Sequence, residues 1–193
     1  MIIGYDAVVL AGGRGSRLGA PSKPDLALAG RRLLDIALSA AGAAGQIVVV
    51  GDVAVPAGVL RTREDPPFGG PVAGLEAGLA LLEEPAEWTL LLACDLPDAE
   101  AAVAALLAAT PAADHDGVCL LDGDGRFQWL LGCYRTAALQ ARLTDRGDPP
   151  LTALYRLLGP LNLLGVDPGT ASVDDLDTPA DAVRWTTKLM ERP

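Results

Sequence analysis

The sequence predicts an α/β fold, a mostly parallel sheet with helices on both faces. Two observations predict it. Continuously apolar runs of strand length alternate with longer stretches of helical periodicity along the chain. Tyr5–Leu10 and Trp88–Ala93 are apolar almost without interruption, as strands buried on both faces are. Strand–helix alternation needs crossover connections, and these place helices over both faces of a parallel sheet. The 193 residues are half apolar, ample for one packed domain spanning 1–193.

In chain order, Tyr5–Leu10 is the first strand, and Arg31–Ala44 reads as a helix through Leu33, Leu34, Ala37, Leu38 and Ala41. Ile47–Val50 is a second strand and Val59–Arg63 a third. A helix over Val72–Leu82 opens behind Gly70-Pro71, because proline suits a first turn. Trp88–Ala93 is followed by a helix over Asp98–Ala109. Gly117–Leu121 and Phe127–Tyr134 pair as a hairpin across Asp122-Gly123-Asp124-Gly125, a turn-forming run. Helices over Thr136–Leu143 and Leu151–Leu158, a strand near Leu161–Val166 and a helix from Pro179 complete the reading.

Charge and composition exclude several classes. A net charge of −10 opposes duplex nucleic acid and anionic membranes, which both reward clustered cations. The longest uncharged stretch, Ile36–Gly51, falls short of the ~18 apolar residues of a membrane span. Cys94, Cys119 and Cys133 form no C-x-x-C pair, which points to a reducing, cytoplasmic setting without disulfides or zinc. No secretory signal is visible at the N-terminus. His115 sits in a polar turn, and no His-activated nucleophile motif exists. Five of the fifteen basic residues (Arg14, Arg17, Lys23, Arg31, Arg32) lie between positions 14 and 32, a corner suited to a small anion.

In parallel sheets ligands bind beyond the carboxyl ends of the strands. Leu10-Ala11-Gly12-Gly13-Arg14-Gly15-Ser16-Arg17-Leu18-Gly19 follows the first strand directly, and its glycines let backbone N–H groups approach a phosphate or a base. The spacing fits neither a Walker A loop nor a dinucleotide fingerprint. Lys23 is one of only two lysines against thirteen arginines, and a compact ammonium suits a triphosphate oxygen; alone, it could equally be a solvated lysine. Asp95 ends the strand over 88–93 within Cys94-Asp95-Leu96-Pro97, where a carboxylate meets the ligand crevice. The plainer role there is capping the next helix, which Asp98 could fill instead.

These motifs together resemble the MobA-like nucleotidyltransferases, whose opening signature is Leu-Ala-Gly-Gly-x-x-x-Arg-[Met/Leu]-Gly followed by a lysine and, seven residues on, a glycine. Here Lys23 and Gly30 occupy those two places. Cys-Asp-x-Pro is matched in full, and Asp65 precedes Gly70-Pro71-Val72-Ala73-Gly74 as an aspartate does in that family. The resemblance implies a Rossmann-like, nucleotide-diphospho-sugar-transferase-like fold. It implies that Leu10, Ala11, Gly12, Gly13, Lys23, Gly51, Asp65, Gly70 and Asp95 bind nucleotide, that Lys23, Arg17 and Asp95 serve catalysis, and that Asp95 holds Mg²⁺ with Asp177 as a second ligand. Ala11-Gly12-Gly13 is the guanine-type version, so the resemblance implies transfer of GMP from GTP to a molybdopterin-type acceptor, and transient contact with other proteins of molybdenum cofactor biosynthesis. Three departures bear on this: Gly51 stands where relatives have asparagine, Gln128-Trp129 replaces Gln-Pro, and Asp175-Leu176-Asp177-Thr178-Pro179 carries aspartates where guanylyltransferases usually have asparagines. Use of CTP, another phosphorylated acceptor, or nucleotide binding without turnover are the alternatives. The Thr178-Pro179 segment is also explained locally, as a helix start with Thr178 as cap.

Overall fold

The computed structural model describes residues 2, 4–12, 23–145, 147 and 153–191. A seven-stranded sheet has the order β5-β4-β1-β6-β8-β7-β9, with β1 at Tyr5–Leu10, β4 at Ile47–Val50, β5 at Leu60–Thr62, β6 at Trp88–Ala93, β7 at Gly117–Leu121, β8 at Phe127–Arg135 and β9 at Leu163–Val166. Only β8 runs against the rest, pairing antiparallel with both β6 and β7. The sheet is therefore mostly parallel, as the alternation of elements predicts.

Each central strand distributes its side chains to two cores. In β1, Tyr5, Ala7 and Val9 enter one apolar cluster and Val8 the other. The first cluster is covered by α1 (Leu33–Ala40), α3 (Ala99–Ala108) and α6 (Pro179–Met190), the second by α2 (Pro71–Leu79), α4 (Thr136–Thr144) and α5 (Leu154–Leu158). Covering both faces explains why β1, β4 and β6 are apolar without alternation. Asp6 is the exception in β1. It is buried, and its carboxylate accepts the N–H groups of Gln46 at 2.9 Å and Ala86 at 2.7 Å, tying together the lead-ins to β4 and β6.

Three expectations are corrected. Arg31 and Arg32 are not helical: they form β3, paired antiparallel with β2 (Ala27–Leu28) across a turn in which Ala29 (φ 48°) and Gly30 (φ 83°) both take the left-handed conformation. That is the backbone a tight two-residue hairpin requires, and glycine supplies half of it without steric cost. The helix then begins at Leu33 and stops at Ala40, where the chain turns through Gly42 toward β4. Helix α5 is shorter than predicted, starting at Leu154; residues 151 and 152 lie outside the described residues.

Close packing of α2 positions the site. Glycines at 74 and 78 face the sheet, and a Cβ at 78 would lie 2.5 Å from the Val8 Cγ1 atom. Their absence of side chain lets α2 settle onto β1 and β4. Its N-cap, Gly70, with φ 88°, consequently stands beside the carboxyl end of β1.

Candidate active site

A cleft of about 310 Å³ opens beyond the carboxyl ends of the strands, where parallel sheets place ligands. Leu10, Gly12, Lys23, Gly70 and Asp95 all line it, so five of the residues singled out in the sequence share one cavity. Gly13 and Arg17 lie outside the described residues. The end of β1 is laced to both neighbours: Cys94 N–H, just after β6, donates to the Leu10 carbonyl at 3.1 Å, and Ala11 N–H donates to the Val50 carbonyl of β4 at 2.9 Å. This fixes the start of the glycine-rich loop beside Asp95.

The polar centre is a lysine held by carboxylates. Lys23 Nζ lies 2.8 Å from Asp95 Oδ2 and 2.9 Å from Asp177 Oδ1, although Asp177 is 154 positions away in sequence. Partial burial opposes the ammonium charge. The hydrogen bonds to Asp95 and Asp177, with their charges, outweigh it and lift the lysine above its ordinary value. Asp175 belongs to the same electrostatic neighbourhood. Burial, then repulsion from Asp177 and Asp95, raises its carboxyl above the usual aspartate value.

Two anchors bring the 171–178 segment to this place. Leu176 is fully buried in the first core, and its N–H donates to the Asp95 carbonyl at 3.0 Å. Asp98, itself buried, accepts the Ser172 N–H at 2.9 Å. Asp98 thus occupies the N-cap position of α3 but makes no side-chain cap there; its carboxylate holds a distant loop instead. At the other end of that loop, Thr178 forms the expected cap of α6, as a full capping box with Asp181.

The remaining predicted residues fall around this centre. Gly51 is buried under the loop: a Cβ there would sit 2.7 Å from the Ala11 carbonyl oxygen, so packing alone demands glycine. Asp65 is exposed, in a cis peptide with Pro66, and is not among the residues lining the cleft, whereas its neighbour Glu64 is. Sequence reasoning passed over Glu64 and Phe68. The available signal was their place between β5 and the Gly70-Pro71 helix start, at a strand end on the ligand side. Of the basic corner, Arg31 pairs with Glu100 at 3.0 Å and Arg32 with Asp35 at 2.7 Å and Asp25 at 3.3 Å, so these cations face carboxylates. On the far side, Leu130 of β8 lines the cleft and Gln128 Nε2 donates to Asp122 Oδ2 at 3.0 Å.

Other chemistries find little support in these groups. His115 stands just ahead of the amino end of β7, opposite the cleft, with Nδ1 accepting the Ala112 N–H. All three thiols are buried, and burial pushes Cys119 and Cys133 up to about 12 and Cys94 higher still, so none is a ready nucleophile. Among the described residues no helix is long and apolar enough to cross a membrane.

Comparison with known proteins shows the family. The family model of the MobA-like NTP transferase domain matches residues 7–162. The chain belongs to that family. A relative from Acidiphilium cryptum, named molybdenum cofactor guanylyltransferase, is 35% identical over 170 residues, covering 79% of this chain and 76% of its own. Solved structures share the fold at lower identity. Molybdopterin-guanine dinucleotide biosynthesis protein A of Archaeoglobus fulgidus matches with a TM-score of 0.72 at 18% identity, over 97% of this chain and 100% of that one. The 2-C-methyl-D-erythritol 4-phosphate cytidylyltransferase of Thermus thermophilus matches at 0.69 and 18%, with the same coverage. Both share the overall fold of this chain. The chain is a nucleotidyltransferase by family.

Proposed function

We propose that this nucleotidyltransferase transfers GMP from GTP to the terminal phosphate of a molybdopterin-type acceptor and releases pyrophosphate. The observation that carries the reading is the contact of Lys23 with Asp95 in the cleft that Leu10, Gly12 and Gly70 also line. The Ala11-Gly12-Gly13 sequence and the name of the 35%-identical relative support guanine and the acceptor class. Three buried thiols fit the reducing cytoplasm in which such a reaction would run, alongside other proteins of the same biosynthesis.

A divalent ion fits the donors present. Asp95 and Asp177 both lie within 2.9 Å of one point, the lysine nitrogen, so the two carboxylates converge on a volume an ion could share. Mg²⁺ favours one or two carboxylates completed by phosphate oxygens and water, which is what this pair offers. When bound, Mg²⁺ would offset charge on the triphosphate.

The residues then divide the work. Leu10, Ala11 and Gly12, with Gly51 packed against Ala11 and Gly12, form the backbone bed for the nucleotide, to which the sequence motif adds Gly13, and Asp65 meets the sugar. Lys23 leaves the carboxylates to neutralise charge on the transferring phosphate, a role the sequence motif also assigns to Arg17. An acceptor phosphate oxygen attacks the α-phosphorus in line. A new P–O bond forms as the bond to the β-phosphate breaks, and pyrophosphate carries away the electron pair. No general base is needed, because a phosphate monoester with a second pKa near ~6 is already largely ionised at neutral pH. The test is Asp95→Asn. Pyrophosphate release from GTP and acceptor should fall at least ~100-fold with the fold intact, a loss typical of removing one group that stabilises developing charge; activity within threefold of wild type would overturn the assignment.

A further inference from the structure

The end of the cleft away from Lys23 carries an unassigned carboxylate. Glu64 follows β5, and Lys23 meets Asp95 at the end of β6. In the order β5-β4-β1-β6 these lie three strand spacings apart, roughly 14 Å at ~4.8 Å each. That is the scale of a nucleotide, with phosphates at one end and base at the other. Glu64 lines the cleft and is half-buried. Its Oε1 accepts the Phe68 N–H at 3.0 Å, and Phe68 holds a left-handed φ of 66°, unusual for a bulky side chain. The tight turn over 64–68 thus fixes the carboxylate, while the Phe68 ring stands 57% exposed at the cleft with the Arg63 guanidinium 5.5 Å from its centroid.

A carboxylate offers about four acceptor positions and no donor, so one backbone N–H leaves room for two more. Guanine is the base that presents two adjacent donors, N1–H and the 2-amino group. Cytosine and adenine each present one amino group beside a ring nitrogen that only accepts, and a carboxylate would repel that nitrogen. We propose that Glu64 is the base-reading residue of this site, accepting from N1–H and the 2-amino group of guanine, with the Phe68 ring flanking the base. The inference rests on the guanylyl-transfer reading and names the side chain that would give it its specificity. It also separates two neighbours: Glu64 reads the base, and Asp65 meets the sugar common to all nucleotides.

The test is calorimetric binding of GTP, ITP and CTP, each with Mg²⁺, to the full chain and to Glu64→Gln and Asp65→Asn. ITP lacks only the 2-amino group. Glutamine keeps an oxygen for the Phe68 N–H, so the turn survives, and circular dichroism checks it. Wild type should prefer GTP over ITP and CTP. Glu64→Gln should lose roughly 10–100-fold for GTP, the effect of a hydrogen bond to a charged group, and bind GTP and ITP alike. Asp65→Asn should weaken GTP and CTP by the same factor. If Glu64→Gln binds GTP within threefold of wild type at an unchanged GTP:ITP ratio, the assignment is overturned while the guanine reading stands. If wild type binds CTP at least as tightly as GTP, the guanine reading fails and takes this inference with it.

Discussion

Replacing Asp98 by alanine tests whether the 171–178 loop is held in place from α3. The Asp98 carboxylate is buried and accepts the Ser172 N–H at 2.9 Å. A hydrogen bond to a charged acceptor contributes about 1.5–3 kcal/mol, and alanine removes it without offering a substitute. For a chain of this size each kcal/mol moves the thermal midpoint by roughly 2–4 °C, so Asp98→Ala should melt about 3–12 °C lower. Asp98→Asn retains an acceptor oxygen and should recover about half of that loss, since neutral hydrogen bonds contribute about half as much as charged ones. The same loop carries Asp175 and Asp177 toward Lys23. Asp98→Ala should therefore also raise the Mg²⁺ concentration needed for half-maximal pyrophosphate release, measured well below its melting range. A midpoint within 1 °C of wild type would refute the anchoring argument. A lowered midpoint with unchanged Mg²⁺ dependence would refute the link from anchor to site.

Other expectations follow from individual contacts. Gly51→Ala places a Cβ 2.7 Å from the Ala11 carbonyl oxygen, and overpacking of this kind costs about 1–3 kcal/mol; denaturant melts should show that loss, with GTP affinity reduced because the displaced Ala11 begins the nucleotide loop. Lys23→Met leaves Asp95, Asp175 and Asp177 without their shared cation. Its nucleotide affinity should drop at least ~10-fold, as for loss of a charge-assisted contact, while Lys23→Arg restores charge but only part of the affinity. Because burial raises Cys119 and Cys133 to about 12, and only the thiolate reacts, native protein at pH 8 should resist iodoacetamide while the denatured chain labels at all three cysteines. Rapid labelling of the native chain in intact-mass measurements would contradict that burial.

Much of the site was readable because two simple rules apply to it. Continuous apolar runs locate β1, β4 and β6, and chemistry in a parallel sheet collects at their carboxyl ends, which singles out the glycine loop and Asp95 before any coordinates are known. Contacts between distant segments carry no such sequence mark. Nothing local says that Lys23 meets Asp177, or that Asp98 abandons its cap position to hold Ser172. The β2–β3 hairpin was hidden for a different reason. Its strands are two residues long, and Arg31-Arg32 leads straight into the apolar spacing of α1, so helical periodicity absorbed it. The Ala29-Gly30 turn that decides the matter depends on alanine accepting a positive φ. Glu64 escaped notice because Asp65 carries the family motif, and only the turn of the chain shows which of two adjacent carboxylates meets the cleft.

The central claim is most directly tested by pyrophosphate release from GTP, CTP and ATP with Mg²⁺, each with and without a molybdopterin-type acceptor. Release from GTP only, and only when the acceptor is present, is the predicted result. Release from CTP in preference to GTP, or no release from any nucleotide despite tight GTP binding, would contradict the guanylyl-transfer account.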